Sequence, residues 1–255
     1  VVLKPNLVEY DEHTAINTHP VFVHAVAEAF RHLGAGSVTI AEGPGHRRIT
    51  FDLAEAAGYS ERFSSLYETF VDLNIDDVAE VAIHEPVSRL RSLYLPKTIL
   101  DCDLLVSLPK MKTHHWVGAT LSMKNLFGVV PGGVYGWPKN ILHWAGIEQC
   151  IIDLHRLMPQ RFAIVDGIVG MEGNGPIQGT RKHAGVVVAG FDAVAVDSTC
   201  CRIMGIDPAR VPYLTGAQTA EQTQADRVKQ IGETIASVQT DFQLLPQFQK
   251  IRLGS

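Results

Sequence analysis

Apolar and polar positions alternate along the chain in a way that predicts strands and helices in turn. Residues 1–8 are largely apolar and are typical of a short buried strand. Residues 18–34 then repeat apolar side chains at helical spacing, with Thr18 as the candidate N-cap and Pro20 in the first turn. Residues 37–43 predict a second strand. Because a helix lies between the two strands, we expect them to be parallel and joined by a right-handed crossover.

The same pattern continues through most of the chain. It predicts strands at residues 102–110, 161–167 and 184–190, helices at about 50–59, 144–158 and 191–205, and a last strand at 233–243. Residues 81–86 and 91–96 would form a β-pair or an extended arm. We therefore expect an α/β fold with a mostly parallel central sheet, helices on both faces and a glycine-rich excursion at residues 128–140. Residues 1–217 would form the α/β domain and residues 218–255 a C-terminal extension.

Composition and charge narrow the classes of function. The net charge of −5 over 255 residues argues against a general nucleic-acid binder. No apolar span of about 18 residues is present, so we expect no membrane span. The four cysteines show no C-x-x-C spacing, so neither a disulfide framework nor an intrinsic iron–sulfur cluster is expected, which favours a cytoplasmic location. An export signal upstream of residue 1 and a homo-oligomeric state stay open.

Basic and polar residues gather where the predicted strands end. Residues 110–125, KMKTHHWVGATLSMKN, contain three lysines, two adjacent histidines and no acidic residue. The carboxyl ends of parallel strands meet at one edge of a sheet, and lysine suits phosphate and carboxylate groups. We therefore expect a cleft for a small anionic ligand, lined by Lys4, Asn6, Glu42, Lys110, Lys112, Lys124, Asn125, Lys139 and Asn174. The alternatives are solvated surface lysines or structural ion pairs.

Two histidines and a lysine of this region are the candidate catalytic residues. They are His114, His143 and Lys112. Imidazole exchanges protons near neutral pH, so His114 and His143 could act as acid or base. An isomerase, a lyase and a hydrolase acting on an acidic metabolite fit these residue types equally well.

A divalent metal is a second expectation for the same region, although its identity is open. His114 with Asp166 and Glu172 would supply imidazole and carboxylate ligands. The adjacent His114 and His115 would point in opposite directions on an extended chain, so at most one would face a shared site. The alternative is that these histidines are hydrogen-bonded without a metal.

Aromatic residues in and after the glycine-rich excursion suggest two further roles. Tyr135 and Trp137 could cover a ligand if the excursion is a lid. Together with Trp144, they could instead form the docking surface of a non-catalytic accessory protein. These two alternatives stay open.

Asp197 is an acidic residue inside the apolar segment 193–201. A buried carboxylate needs a partner, because leaving it unpaired costs free energy. We expect an ion pair with one of the lysines, with a hydroxyl group or a metal as alternatives.

Several of these motifs, in this order, resemble the domain of unknown function 362 family. The matching segments are LKPNLV, THP, EGPG, LPKMKTHHWVGATLSMKNLFGVVPG, KNILH, VDGIVGMEGNGP and AGFDAVAVDSTCCRIMG, which together span residues 3–205. The resemblance implies an uncharacterised α/β protein. Many members look redox-associated and carry an appended ferredoxin-like module, whose cysteines this chain lacks.

The segment AEGPGHR, residues 41–47, is faintly similar to the N-terminal part of nickel-dependent lactate racemases, which favours a small carboxylate or a phosphorylated cofactor as ligand.

Overall fold

A central β-sheet organises the protein. The computed structural model describes residues 1–46, 49–63, 65–221 and 228–254. Within these residues an eight-stranded sheet lies beside a separate two-stranded sheet. The strands are β1 (Val2–Pro5), β2 (Thr39–Glu42), β3 (Phe70–Asp72), β4 (Val78–Ala82), β5 (Ser92–Pro96), β6 (Leu105–Leu108), β7 (Lys110–His114), β8 (Gly118–Thr120), β9 (Arg161–Glu172) and β10 (Thr180–Gly190).

Most neighbouring strands of the central sheet run parallel. The order is β3–β2–β1–β6–β9–β7–β8, with β10 paired to β9. β1 pairs in parallel with both β2 and β6, while β6 and then β7 pair in parallel with β9. The β7–β8 and β9–β10 pairs are antiparallel. The predicted α/β fold with a mostly parallel sheet is confirmed. A β-pair forms as predicted, but its first strand lies at Val78–Ala82 and overlaps the predicted 81–86 only at its end.

Helices cover both faces of the sheet. They are α1 (Pro20–His32), α2 (Thr50–Ala56), α3 (Leu66–Thr69), α4 (Lys97–Leu100), α5 (Ser122–Asn125), α6 (Gly132–Tyr135), α7 (Ile141–Trp144), α8 (Ile147–Leu157), α9 (Ala193–Ile203), α10 (Pro212–Glu221) and α11 (Ile235–Val238). Short 3₁₀ helices occur at Leu126–Val129, Pro208–Arg210 and Pro246–Ile251. No helix among the residues described has the length and hydropathy needed to cross a membrane.

Strand residues alternate between two hydrophobic cores. In β1, Val2 belongs to one core and Leu3 to the other, as expected for side chains that point to opposite faces. Helices α8, α9 and α10 pack into the first core, and α1 and α2 into the second. The sheet is therefore buried on both sides, which leaves its carboxyl edge as the place where polar loops meet.

The start of α1 differs from the prediction by one residue. Thr18 is not the N-cap, because its hydroxyl donates to the carbonyl oxygen of Leu108 at 2.6 Å. His19 takes that position, and its Nδ1 accepts a hydrogen bond from the backbone N–H of Val21. Pro20 lies in the first turn as predicted. Thr18 therefore joins α1 to the end of β6.

Three predicted features need correction or fall outside the description. Residues 110–114 form strand β7, whereas the sequence predicted a loop after the apolar strand. Residues 233–243 contain the short helix α11 and no strand. The motif AEGPGHR ends at Arg47, which lies outside the described residues.

Candidate functional site

Polar residues from the carboxyl ends of parallel strands line one pocket of about 380 Å³. Strand β1 contributes Lys4, β2 contributes Glu42, and β7 contributes Lys112. Further lining comes from α5, from the glycine-rich excursion at residues 128–140 and from the residues that follow it. The predicted residues that line the pocket are Lys4, Asn6, Glu42, Lys112, His114, Lys124, Asn125, Lys139 and His143.

A buried ion pair forms the floor of the pocket. Lys4 Nζ lies 2.7 Å from Glu42 Oε2, and both side chains are at most 1% exposed. Lys4 Nζ also donates to the Asn125 side-chain oxygen at 3.2 Å and to the Pro5 carbonyl oxygen at 3.0 Å. Glu42 accepts further hydrogen bonds from the backbone N–H groups of residues 7 and 43. Lys4 and Glu42 are therefore saturated by protein groups.

Lys112 is held by backbone carbonyl groups. Its Nζ donates to the carbonyl oxygens of Ile16 at 2.9 Å and Pro176 at 3.2 Å, and the side chain is 1% exposed. Among the described residues it forms no ion pair within 4.0 Å. The ammonium group of Lys112 is therefore buried against the dipoles of backbone carbonyl groups, and no carboxylate of the described residues is close enough to pair with it.

Lys139 enters the pocket from the opposite wall in the same manner. Its Nζ donates to the carbonyl oxygens of Gly43 and Gly128, the latter at 3.3 Å. The side chain is buried. The cis peptide bond between Trp137 and Pro138 precedes it. The glycine-rich excursion thus contributes a cation to the pocket.

Lys124 lies on the short helix α5 and is fixed less tightly. Its Nζ is 3.7 Å from the centre of the Phe127 ring, a cation–π contact. Helix α5 is anchored by the buried Asp197, which accepts hydrogen bonds from Ser122 N–H at 2.8 Å and Met123 N–H at 3.1 Å, and from the Ser122 hydroxyl. The expected ion pair between Asp197 and a lysine is therefore wrong, and the hydroxyl alternative is correct.

Burial lowers the pKa of every lysine in the pocket. It lowers the pKa of Lys112 well below the usual 10.5, with a further contribution from the positive charges of Lys110 and Lys124. Burial lowers the pKa of Lys124 to about 7, helped by repulsion from Lys4. It also lowers the pKa of Lys139 to about 7, against the attraction of Glu42. Burial is the largest cause of each shift, and the charges of neighbouring lysines lower the pKa values further for Lys112, Lys124 and Lys139.

Three histidines and a tryptophan form one wall of the pocket. The rings of His114 and His115 stack with centroids 5.0 Å apart, so the expectation that they point in opposite directions is wrong. The reason is that β7 ends at His114, and His115 lies in the turn that follows. Trp116 packs edge-on against both His115 and His143, at centroid distances of 5.0 Å and 5.1 Å.

The pocket environment keeps two of these imidazoles neutral at pH 7. Burial lowers the pKa of His143 to about 4, and the charge of Lys124 lowers it further. Burial also lowers the pKa of His114 well below its usual value, with Lys124 again the next contribution. A neutral imidazole can accept a proton or a hydrogen bond, whereas it adds no positive charge to the pocket.

Lys110 and Asp166 lie outside the pocket lining and bind each other. Lys110 Nζ is 2.6 Å from Asp166 Oδ2, and both side chains are at most 4% exposed. The same carboxylate accepts a hydrogen bond from the backbone N–H of His19. Lys110 therefore has the structural ion pair that the sequence left as an alternative. It is absent from the described pocket lining, contrary to its prediction as a ligand residue.

The predicted metal set does not come together. Glu172 binds Lys182 Nζ at 3.6 Å and the backbone N–H of Gln243, away from the pocket. In the described part of the chain, no group of three or more His, Cys, Asp or Glu side chains could hold a metal ion. Within the described residues, His114, Asp166 and Glu172 therefore do not meet at one point, and a metal at this place stays a prediction. Asn174, predicted to contact the ligand, is exposed and also lies outside the lining.

The three aromatic residues of the predicted docking surface are not equally exposed. Trp144 is 76% exposed, whereas Tyr135 and Trp137 are partly buried. The Tyr135 hydroxyl accepts a hydrogen bond from the backbone N–H of Tyr94 at 2.8 Å. A joint docking surface of all three residues is therefore not formed.

Several pocket residues had no prediction as ligand residues. They include Leu7, Val8, His46, His115, Trp116, Phe127, Leu142 and Ile177. The apolar residues among them have a weak signal in the sequence, because single apolar residues next to loops usually serve packing. A position at the end of a predicted strand pointed to Lys4 and Lys112, whereas Lys124 and Lys139 lie on α5 and in the excursion. A larger surface cavity of about 810 Å³ lies between β10, α9 and residues 228–238, and contains none of the predicted site residues.

The fold and site define an α/β protein with a lysine-rich pocket at the carboxyl edge of a parallel sheet. A family model described as "Domain of unknown function (DUF362)" matches residues 1–202. The chain belongs to this family, as its motifs indicated.

A relative with a curated description is the thylakoid-associated protein sll1697 of Synechocystis sp. (strain ATCC 27184 / PCC 6803 / Kazusa). The two proteins are 29% identical over 227 residues, which is 86% of this chain and 67% of the relative. No solved structure matches the chain.

Proposed function

We propose that the pocket binds a small anionic ligand, a carboxylate or a phosphate, through Lys112, Lys124 and Lys139. One observation carries the proposal. Three lysine side chains reach a single pocket, and Glu42, the carboxylate in its described lining, is already paired with Lys4. Lysines placed at random on a surface would be solvated or ion-paired instead.

The pKa shifts support the same proposal. Moving an ammonium group out of water costs free energy unless it is paired, and the lowered pKa values reflect that cost. An anion bound between Lys112, Lys124 and Lys139 would offset it. A neighbouring negative charge favours the charged form of lysine, so binding would raise the three pKa values again.

Asn6 supplies a polar group that suits this ligand. It lines the pocket, and within the described residues its side-chain oxygen is buried without a hydrogen-bond partner. The oxygen and nitrogen of an amide exchange places by a simple flip of the side chain. The Asn6 amide group can thus donate to a bound anion. Asn125, in contrast, is engaged with Lys4 and Ser107.

The catalytic roles of the histidines remain part of the proposal. His143 is neutral at pH 7 and lines the pocket, so it could accept a proton from a bound acid. His114 Nδ1 accepts a hydrogen bond from the backbone N–H of Trp116 at 3.0 Å, so the Nε2–H group of its neutral ring could instead donate to the ligand. Lys112 would then hold the charge that develops on the ligand. An isomerase, a lyase or a hydrolase without a metal would fit this arrangement.

A thermal-shift experiment tests the proposed binding. The melting temperature of the wild-type protein is measured with acetate, succinate, phosphate, pyrophosphate and citrate at constant ionic strength. The same series is run with Lys124→Met and with Lys97→Met. Lys97 is a suitable control because its side chain is 53% exposed and lies outside the described lining.

We expect at least one of these anions to raise the melting temperature of the wild type and of Lys97→Met by roughly 5 °C or more near saturation. Lys124→Met should show a much smaller rise, because it lacks one of the charges that bind the anion. No rise with any anion, or an equal rise in all three proteins, would refute the proposal.

A non-catalytic accessory role is the alternative. The relative's name reports association with thylakoids, and the exposed Trp144 offers one contact for a partner. The binding proposal is favoured because Tyr135 and Trp137 are partly buried, so the predicted docking surface is incomplete. If the alternative holds, Trp144→Ser will lose a partner that Lys124→Met retains in affinity purification.

A further inference from the structure

We infer that the ligand of this pocket is an organic anion with two or more negative charges. The inference rests on the proposed function and narrows it, because a monocarboxylate or a monoanionic phosphate ester would also be a small anion. Three observations lead to it. They are the charge balance of the pocket, the N–H donors that its lysines still have, and its volume.

The charge balance separates Lys4 from the other lysines. Glu42 lies 2.7 Å from Lys4 Nζ, and its two oxygens also accept hydrogen bonds from the backbone N–H groups of Leu7 and Gly43. Lys4 donates three hydrogen bonds, which is the full capacity of an ammonium group. This pair therefore neutralises itself and offers little to a ligand.

The other three lysines have no such partner. Within the described residues, no carboxylate lies within 4.0 Å of Lys112, Lys124 or Lys139 Nζ. When all three are protonated, a bound monoanion would leave two positive charges in a confined space. Like charges repel each other in a confined space that water enters poorly, so the second and third charges favour a dianion or trianion.

The hydrogen-bond donors of these lysines match such a ligand. Lys112 and Lys139 each use two N–H donors on backbone carbonyls, which leaves one donor on each. Lys124 has its contact with the ring of Phe127 and, in the part of the chain described, no hydrogen bond from Nζ, so all three donors are available. The five available N–H donors of these three lysines require several acceptor oxygens, as in a phosphate or two carboxylates.

The volume indicates that the anion is attached to an organic body. The pocket measures about 380 Å³. A water molecule takes up about 30 Å³, so a bare inorganic ion would fill a small part of this space. Trp116, Leu142 and Ile177 supply an apolar lining for the rest of the ligand. The charged end would lie against the lysines, and the body against this lining.

Isothermal titration calorimetry with two series of probes tests the inference. The carboxylate series is butyrate, succinate and tricarballylate, and the phosphate series is dimethyl phosphate, inorganic phosphate and pyrophosphate. Both are titrated at pH 7 and constant ionic strength into wild type, Lys124→Met and Lys97→Met. The two series separate a carboxylate ligand from a phosphate ligand.

In the series that fits the site, we expect affinity to increase by about tenfold or more with each added negative charge. Lys124→Met should weaken the most highly charged probe by about tenfold or more and flatten the dependence on charge. Lys97→Met should match the wild type. Circular dichroism of each variant confirms that it is folded.

The outcomes distinguish the inference from the proposed function. If probes bind at the lysines but affinity does not increase with charge, the inference is wrong and anion binding stands. If no probe binds and none raises the melting temperature, both are wrong. If affinity increases with charge equally in Lys124→Met and the wild type, the charge is recognised elsewhere and the inference is also wrong.

Discussion

Replacement of Lys4 tests whether the ion pair on the pocket floor is structural. Lys4 and Glu42 are at most 1% exposed, and their charged atoms are 2.7 Å apart. Lys4→Met retains the length of the side chain but leaves the Glu42 carboxylate buried without a cation. Removing one partner of a buried pair costs about 3–5 kcal/mol. At about 2–4 °C per kcal/mol for a chain of this size, the melting temperature should fall by roughly 6–20 °C.

The assay is unfolding at pH 7, followed by circular dichroism in urea and on heating. The double variant Lys4→Met/Glu42→Gln provides the comparison, because it removes the unpaired charge along with the pair. We expect it to be more stable than Lys4→Met alone. Measured together with the single variant Glu42→Gln, it gives a coupling free energy between the two sites. If Lys4→Met lies within about 1 kcal/mol of wild type, where surface changes usually fall, Lys4 is not structural. The charge balance inferred for the pocket would then be wrong.

Three other perturbations give distinct results. Gly128→Ala should destabilise the protein by about 2 kcal/mol or more in urea unfolding, because the new Cβ would overlap the buried ion pair. Gly36→Ala is the control and should have little effect, because no atom lies within 4 Å of its Cβ position. Asp197→Asn should lower the free energy of unfolding by about 1–3 kcal/mol, since the amide group of asparagine cannot accept every hydrogen bond that anchors α5. The same variant should bind the anion more weakly, as measured by calorimetry. Because the pKa values of Lys124 and Lys139 are about 7 in the folded protein against a usual 10.5, the unfolded chain holds more protons between these values. Stability without ligand should therefore rise from pH 7 to about pH 8, while anion affinity falls. Above about pH 8 the buried thiols of Cys150, Cys200 and Cys201, whose pKa values burial raises, oppose the rise.

Each of these predictions has a contrary result. Equal stability of the two glycine variants would mean that the backbone at residue 128 can move away from the ion pair. Unchanged anion affinity in Asp197→Asn would show that anion binding does not depend on the anchoring of α5 by Asp197. A stability that is flat or falls between pH 7 and about pH 8, below the ordinary pKa of a thiol, would show that the lysines on the pocket wall keep ordinary pKa values.

The pattern of the sequence was sufficient for the architecture and for the edge of the sheet that carries the site. Buried parallel strands are read from apolar runs, and the rule that their carboxyl ends share an edge then places Lys4, Glu42 and Lys112 together. The short strand β7 was missed because Lys110 and Lys112 are poor strand formers. Both lysines fit there because each is buried with a specific partner, a carboxylate for Lys110 and two carbonyl groups for Lys112.

The partners of individual side chains could not be predicted. Lys110 and Lys112 are two residues apart and chemically identical, yet Asp166 neutralises the first and the second reaches the pocket. That difference depends on the register of β7 with β9, which shifts between these two residues. The partners of Asp166 and Glu172 could not be predicted either, since the two residues lie on one strand and pair with Lys110 and Lys182.

Small molecules released from the purified protein provide the most direct test of the central claim. Wild type and the Lys112→Met/Lys124→Met variant are purified in the same way, denatured, and the released compounds are compared by mass spectrometry. The account predicts a near-stoichiometric organic compound with at least two ionised acid groups in the wild type, strongly depleted in the variant. The same compounds in equal amounts from both proteins, or compounds that are neutral or singly charged, would contradict it.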